Sequence, residues 1–147
     1  MKQVQKILFP IDLTEKIDPL LPWVTTLVKK FDATLVVLFV TQDLTSFTSF
    51  YVPHPYLKTM QEETMKAAQQ KMAEIRQEVF KDFPKVETLV VQGPPADKIL
   101  EVAQKEGVDL IIMGTHGRKG LERAIFGSVC DKVVRNSKIP VLTIYPQ

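Results

Sequence analysis

Four of the six glycines in this 147-residue chain lie within fourteen residues: Gly114, Gly117, Gly120 and Gly127. They follow the apolar run Val108–Met113 and precede a helical pattern that begins near Ser128. A glycine-rich loop between a strand and a helix presents backbone N–H groups and the positive end of the helix dipole to an anion. Arg118, Lys119 and Arg123 add positive charge to the same segment. The pattern predicts a phosphate-binding site.

Two common phosphate motifs do not fit these glycines. A Walker A loop requires G-x-x-x-x-G-K-[ST], and Gly120 is followed by Leu121. A dinucleotide fingerprint, G-x-G-x-x-G, follows the first strand, whereas this segment follows a late one. Turn geometry alone is a further explanation, because glycine adopts positive φ at little cost. Four glycines followed by Ser128 favour the phosphate site, and Ser128 is also suited to cap the helix that begins there.

Five short apolar runs alternate with helical patterns along the chain. The runs are continuous, as is typical of parallel strands that are covered on both faces. They are Ile7–Phe9, Leu35–Val40, Val86–Val91, Leu110–Met113 and Val141–Ile144. This order predicts an α/β fold, a doubly wound five-stranded parallel sheet with helices on both faces. The length suits a single domain over residues 1–147.

Capping residues and apolar spacing predict where the helices begin and end. Asp18–Pro19 has the form of a cap followed by proline in the first turn, and Pro22 in the same turn can delay the helix start. Thr59–Glu62 has the form of a capping box for a second helix. A third helix is expected from about Pro95 to Glu106, with Gly107 ending it, and a fourth after the glycine-rich segment.

The longest connection is predicted over residues 42–58. It is unusually aromatic for a loop, with Phe47, Phe50, Tyr51 and Tyr56. Packing on its own domain or on a dimer partner is the favoured interpretation, and a lid over a ligand or a partner surface is the alternative. His54, between two prolines, is predicted to be a loop residue.

The pattern G-x2-G-x9-G-[ST], which ends at Ser128, resembles the ATP-binding signature of the universal stress protein family. Three other segments resemble that family in the same order. Ile7–Glu15 is similar to its first strand, which ends in an aspartate, here Asp12. Lys98–Gly114 is similar to its third helix and fourth strand, and Pro140–Tyr145 to its last strand. The resemblance therefore extends over nearly the whole chain.

This resemblance implies strand order 3-2-1-4-5, in which the carboxyl ends of strands one and four flank the ligand crevice. ATP would lie across these ends, and Mg²⁺ is plausible only through its phosphates, because the sequence has no carboxylate cluster to hold a metal. The ATP-binding residues implied are Pro10, Ile11, Asp12, Val40, Met113, Gly114, His116, Gly117, Arg118, Gly127, Ser128 and Val129. The resemblance also implies a homodimer in which the edge strands Val141–Tyr145 pair antiparallel.

His116 and Cys130 are the candidates for chemistry beyond binding. Imidazole titrates near neutrality, but no acidic residue beside His116 in the sequence orients it, so a phosphate or loop contact is favoured. A thiol in the first turn of a helix can have a lowered pKa, whereas a lone cysteine is more often an inert core residue. We therefore predict no catalytic residue, and a nucleotide-dependent binder or switch with slow or no hydrolysis. The alternatives are an ATP-independent dimeric interaction module and a slow ATPase.

Composition and local motifs argue against several other classes. A net charge of +2 is too mild for a dedicated nucleic-acid binder. No apolar stretch has the length of a signal peptide or a membrane span, and one cysteine fits a reducing compartment, so a cytoplasmic protein is expected. Pro10–Glu15 lacks the His-x-Gly-His and Ser-Gly-Gly motifs of nucleotidyl transferases and hydrolases of related fold. It also lacks the glycines of a flavodoxin-like flavin loop.

Overall fold

A five-stranded parallel sheet forms the centre of the computed structural model, which describes residues 1–13, 16–43, 53–115 and 127–145. The strands lie in the order β3-β2-β1-β4-β5, and every neighbouring pair is parallel. This arrangement confirms the predicted fold class and strand order. The strands are β1 (Lys6–Pro10), β2 (Thr34–Thr41), β3 (Val86–Gln92), β4 (Leu110–Gly114) and β5 (Val141–Ile144).

Helices cover both faces of this sheet and divide the core into two clusters. Phe9 points into the cluster under α1 and α2, and its neighbour Leu8 points into the cluster under α3 and α4. Both side chains are completely buried, because successive strand residues face opposite sides of a sheet that is covered on each. The helices are α1 (Leu21–Phe31), α2 (His54–Glu78), α3 (Pro95–Lys105) and α4 (Ser128–Asn136).

The helix α1 begins later than its predicted cap. Its N-cap is Leu20, no side chain caps it, and Asp18 lies in the preceding turn. Pro22 occupies the first turn, where its missing N–H needs no partner and its fixed φ favours a helical start. The predicted cap at Asp18–Pro19 is therefore wrong.

The helix α2 begins earlier than predicted, and this shortens the long connection. His54 is its first residue rather than a loop residue, and Pro53 is the N-cap. Thr59 lies inside the helix, where its Oγ1 donates to the carbonyl oxygen of Pro55 at 3.1 Å. The predicted capping box is thus wrong, and Tyr56 belongs to the helix, where it is exposed.

The end of α3 and the beginning of α4 agree with the sequence. The N–H of Gly107 donates to Gln104, and that of Val108 to Ala103, which closes the end of α3. Gly107 has a φ of +65°, the left-handed conformation that glycine adopts at little cost. The connection from Gly107 to β4 lies at the amino ends of the strands, away from the predicted ligand crevice.

Candidate functional site

The sheet opens between β1 and β4 toward its carboxyl edge. Pairing of β1 with β2 continues to Pro10, and the N–H of Ile11 still donates to the carbonyl oxygen of Leu38 at 2.8 Å. Pairing of β1 with β4 involves only Ile7 and Leu8. The two central strands therefore separate toward the point where strand order reverses, which is where α/β sheets of this type bind ligands.

Two backbone hydrogen bonds fix the beginning of α4 beside the end of β4. The N–H of Thr115 donates to the carbonyl oxygen of Ile144 at 2.9 Å, and the N–H of Gly127 donates to the carbonyl oxygen of Thr115. Thr115 is buried, so this bridge is shielded from water. Nothing in the sequence singles out Thr115 beyond its place after Gly114.

The first backbone N–H groups of α4 lie next to this bridge and are available to a ligand. Its first intrahelical bond joins the N–H of Asp131 to the carbonyl oxygen of Gly127 at 2.9 Å. The N–H groups of Ser128, Val129 and Cys130 precede that bond and have no acceptor within the helix. Such groups, together with the helix dipole, favour an anion.

Ser128 does not cap this helix as predicted. Gly127 is the N-cap, Ser128 is the first helical residue, and no side chain makes a capping hydrogen bond. A cap must come from the residue before the first helical one, and Gly127 has no side chain to supply it. Ser128 is exposed, so its hydroxyl faces outward at the start of the helix.

Gly114 and Gly127 are the two described glycines that border the site, and turn geometry explains neither of them. Positive φ among described glycines occurs only at Gly93 and Gly107, and Gly127 has a φ of −59°, which suits any residue. At Gly114 an added Cβ would lie 3.0 Å from Cδ1 of Leu20, so the beginning of α1 packs where a side chain would stand.

The other described residues of the predicted site differ in what they can present. The side chains of Ile11 and Met113 are buried in the two cores, on opposite faces of the sheet. Only their backbone groups can therefore meet a ligand. Pro10, Asp12 and Val40 are half-buried at the same carboxyl edge.

Several residues that the sequence analysis singles out lie outside the described residues. They are His116, Gly117 and Arg118 of the glycine-rich segment, and Phe47, Phe50 and Tyr51 of the aromatic connection. Within the described ranges, no group of three or more His, Cys, Asp or Glu residues has an arrangement that could hold a metal ion.

Cys130 is a core residue. Its side chain is buried with Val133 in the cluster under α3 and α4. Burial raises the pKa of the thiol, and the negative charge of Asp131 raises it further. Desolvation therefore outweighs the lowering expected at a helix N-terminus, and a reactive thiolate at this position is not supported.

These features define a doubly wound α/β protein whose two central strands separate at the switch point. Residues 3–144 match the model of the Universal stress protein family. The universal stress protein YxiE of Bacillus subtilis is 30% identical over 144 residues, which are 95% of this chain and 97% of that protein. The chain therefore belongs to the universal stress protein family.

Solved structures agree with this membership. One is the structure of protein MJ0577, which was used to assign the biochemical function of that protein. It has a TM-score of 0.83 and 28% identity to this chain, with 99% of each chain covered. A universal stress protein solved in complex with cAMP has a TM-score of 0.69 and 18% identity, with 99% of this chain and 100% of that chain covered. Across the part of this chain that the structure describes, no helix is both long enough and apolar enough to span a membrane.

Proposed function

We propose that this protein is a cytoplasmic stress-response protein that binds ATP and acts as a nucleotide-dependent binder or switch, with residues 1–147 as one domain. The observation that carries the proposal is the bridge through Thr115, which holds Gly127 and the start of α4 beside the carboxyl end of β4, the strand that separates from β1. A helix N-terminus beside a parallel-sheet switch point suits a nucleotide phosphate.

Each part of the nucleotide then has a set of partners. The phosphates contact backbone N–H groups of Gly127, Ser128 and Val129, together with Gly114 and the segment of His116, Gly117 and Arg118. Asp12 lies toward the ribose, where a carboxylate can accept hydrogen bonds from hydroxyl groups. The base lies near Val40, with backbone groups of Pro10, Ile11 and Met113 around it. Mg²⁺ would be held through the phosphates, because the described residues offer no metal cluster of their own.

The comparison with the cAMP complex supports the choice of an adenine nucleotide. That protein shares the fold of this chain, so a sheet of this topology accommodates an adenosine phosphate. The triphosphate is favoured here because the sequence adds Arg118, Lys119 and Arg123 to the N–H groups at the start of α4, and more negative charge suits such a set of groups.

The direct test is to identify nucleotide that remains bound after purification. We expect mass spectrometry of the denatured protein to find ATP, and calorimetry of the stripped protein to give saturable ATP binding. A stripped, folded protein that binds neither ATP nor another adenine nucleotide would contradict the proposal and favour the ATP-independent interaction module.

We further propose a homodimer through β5. The bonds from Ile111 to Pro140 and from Thr115 to Ile144 direct alternate backbone groups of this strand toward β4. The N–H groups of Val141 and Thr143 therefore face outward at the sheet edge. Leu142 and Tyr145 are exposed beside them.

Replacing Thr143 with proline is expected to convert this dimer into a monomer at micromolar concentration. Proline removes the outward N–H and leaves the pairing with β4 intact, because edge strands tolerate proline in that orientation. Light scattering checks the mass, and Thr88→Pro at the opposite edge is the control that should remain dimeric. A monomeric wild-type protein under these conditions would contradict the dimer.

A further inference from the structure

A groove lies at the other edge of the sheet, between the C-terminal half of α2 and β3. Its cavity volume is about 540 Å³. Phe80, which is almost completely buried, forms the floor and packs edge-to-face on Phe83, with ring centroids 5.2 Å apart. Val86 and Thr88 of β3 form the opposite wall. The groove thus has an aromatic floor and runs along a strand.

The backbone of that strand faces outward along the groove. The carbonyl oxygen of Lys85 and the N–H of Gly93 both bond to β2. Because backbone groups alternate between the two sides of a strand, those of Val86, Thr88 and Val90 point away from β2. Among the described residues, no other strand pairs with β3 on this side. An open edge of this kind is a template for another strand.

The charged side chains that line the groove are both cations. Arg76 and Lys81 line it, and no acidic residue does. Glu78 and Asp82 are exposed close to the groove but do not line it, and two other acidic residues near it are engaged elsewhere. Glu74 pairs with Lys71 along α2, and Glu87, whose side chain alternates to the other face of β3, pairs with Lys6.

We propose that this groove binds an extended acidic segment of a partner protein, which adds to β3 as a sixth strand. Main-chain hydrogen bonds to the outward groups of β3 provide affinity, and side chains on one face of the added strand reach Arg76 and Lys81. A second copy of this chain fits less well, because a two-fold axis at this edge would bring the cations of both copies together. The proposal concerns the edge opposite β5 and does not depend on nucleotide binding.

Fluorescence anisotropy with labelled decapeptides tests this assignment. We expect (Glu-Val)5 to bind the wild-type protein at least about tenfold more tightly than (Lys-Val)5, because like charges oppose the latter. Two further peptides carry N-methyl groups on all Glu amides or on all Val amides. One of them should lose binding and the other retain it, because only one edge of an added strand faces β3. Equal binding of the acidic and basic peptides, or equal binding of the two methylated peptides, would overturn the proposal.

Variants locate the peptide on the protein. Arg76→Glu combined with Lys81→Glu should weaken (Glu-Val)5 binding at least about tenfold, and Thr88→Pro should weaken it severalfold by removing one outward N–H. The matched control, Lys66→Glu with Lys138→Glu, makes the same charge change at exposed positions away from the groove and should bind like wild type. Unchanged binding in the Arg76 and Lys81 variant, with a wild-type circular dichroism spectrum, would refute the proposal. Self-association that the same variant abolishes would assign the groove to a second copy instead.

Discussion

Replacing Gly127 with valine should lower the affinity for ATP at least tenfold, about 1.4 kcal/mol, with little change in the free energy of unfolding. With a φ of −59° and a ψ of 152°, the backbone of Gly127 suits valine. The cost to stability is therefore limited to a poorer helix N-cap, about 1 kcal/mol or less. The branched side chain, however, would stand where the phosphates approach the N–H groups of α4. Calorimetry measures the affinity, and urea unfolding measures the stability.

Gly107→Val is the matched control, because it should have the opposite effects. Gly107 has a φ of +65° and no neighbouring atoms that an added Cβ would meet, so the substitution costs only conformational energy. A β-branched residue in this conformation should lose about 1–2 kcal/mol of stability or more. Its affinity for ATP should stay at the wild-type value, because Gly107 lies at the amino ends of the strands. If Gly127→Val binds ATP as wild type does, the phosphates do not lie at the start of α4.

The strands were predictable because a strand that is buried on both faces has a continuous run of apolar residues in its sequence. Leu8 and Phe9 are adjacent and enter opposite cores, so both must be apolar. All five runs consequently matched strands to within two residues at either end. The strand order was not visible in the runs and came from the family resemblance.

Two helix starts were mispredicted because polar capping signals compete with proline. Asp18 and Thr59 are good cap residues, but a cap contributes only about 1 kcal/mol, whereas proline restricts φ outright. Pro22 and Pro55 lie in the first turns that form, and the hydroxyl of Thr59 bonds back to Pro55 instead. Where prolines flank a cap signal, the proline position is the better guide to the helix start.

The site shows a different limit of prediction from sequence. The reason why glycine stands at a given position can lie in tertiary contacts, which the local sequence does not reveal. At Gly114 the constraint comes from Leu20, a residue distant in sequence whose side chain packs closely on it, and not from φ. Likewise, Cys130 has the sequence position of an activated thiol, but burial raises its pKa. Local patterns predict where the site lies, while packing decides which of its groups can react.

Hydrolysis of ATP by this protein is expected to be far slower than the median enzyme rate of about 10 s⁻¹. Phosphoryl transfer needs an in-line water, a group that positions it, and charge stabilisation at the phosphates. In the proposed site, the N–H groups of Ser128 and Val129 would supply the last of these. The described carboxylates near these groups have other partners or roles: Asp131 pairs with Arg135 at 3.1 Å, and Asp12 is assigned to the ribose. Within the glycine-rich segment of the sequence, His116 is the only histidine, and histidine is the residue type that ordinarily titrates near neutral pH.

His116→Ala therefore distinguishes a binder from an enzyme. Steady-state phosphate release should be near background for the wild-type protein, and the substitution should change it little, because tight phosphate contacts without a positioned water hold ATP rather than cleave it. ATP binding should persist in the variant, since the backbone N–H groups of α4 that the proposed site uses for the phosphates are unchanged by it. Ser128→Ala is the control, because it removes an exposed hydroxyl and leaves the N–H in place. Release at several turnovers per second, abolished by His116→Ala and retained in Ser128→Ala, would identify a hydrolase and overturn the assignment as a nucleotide-dependent switch.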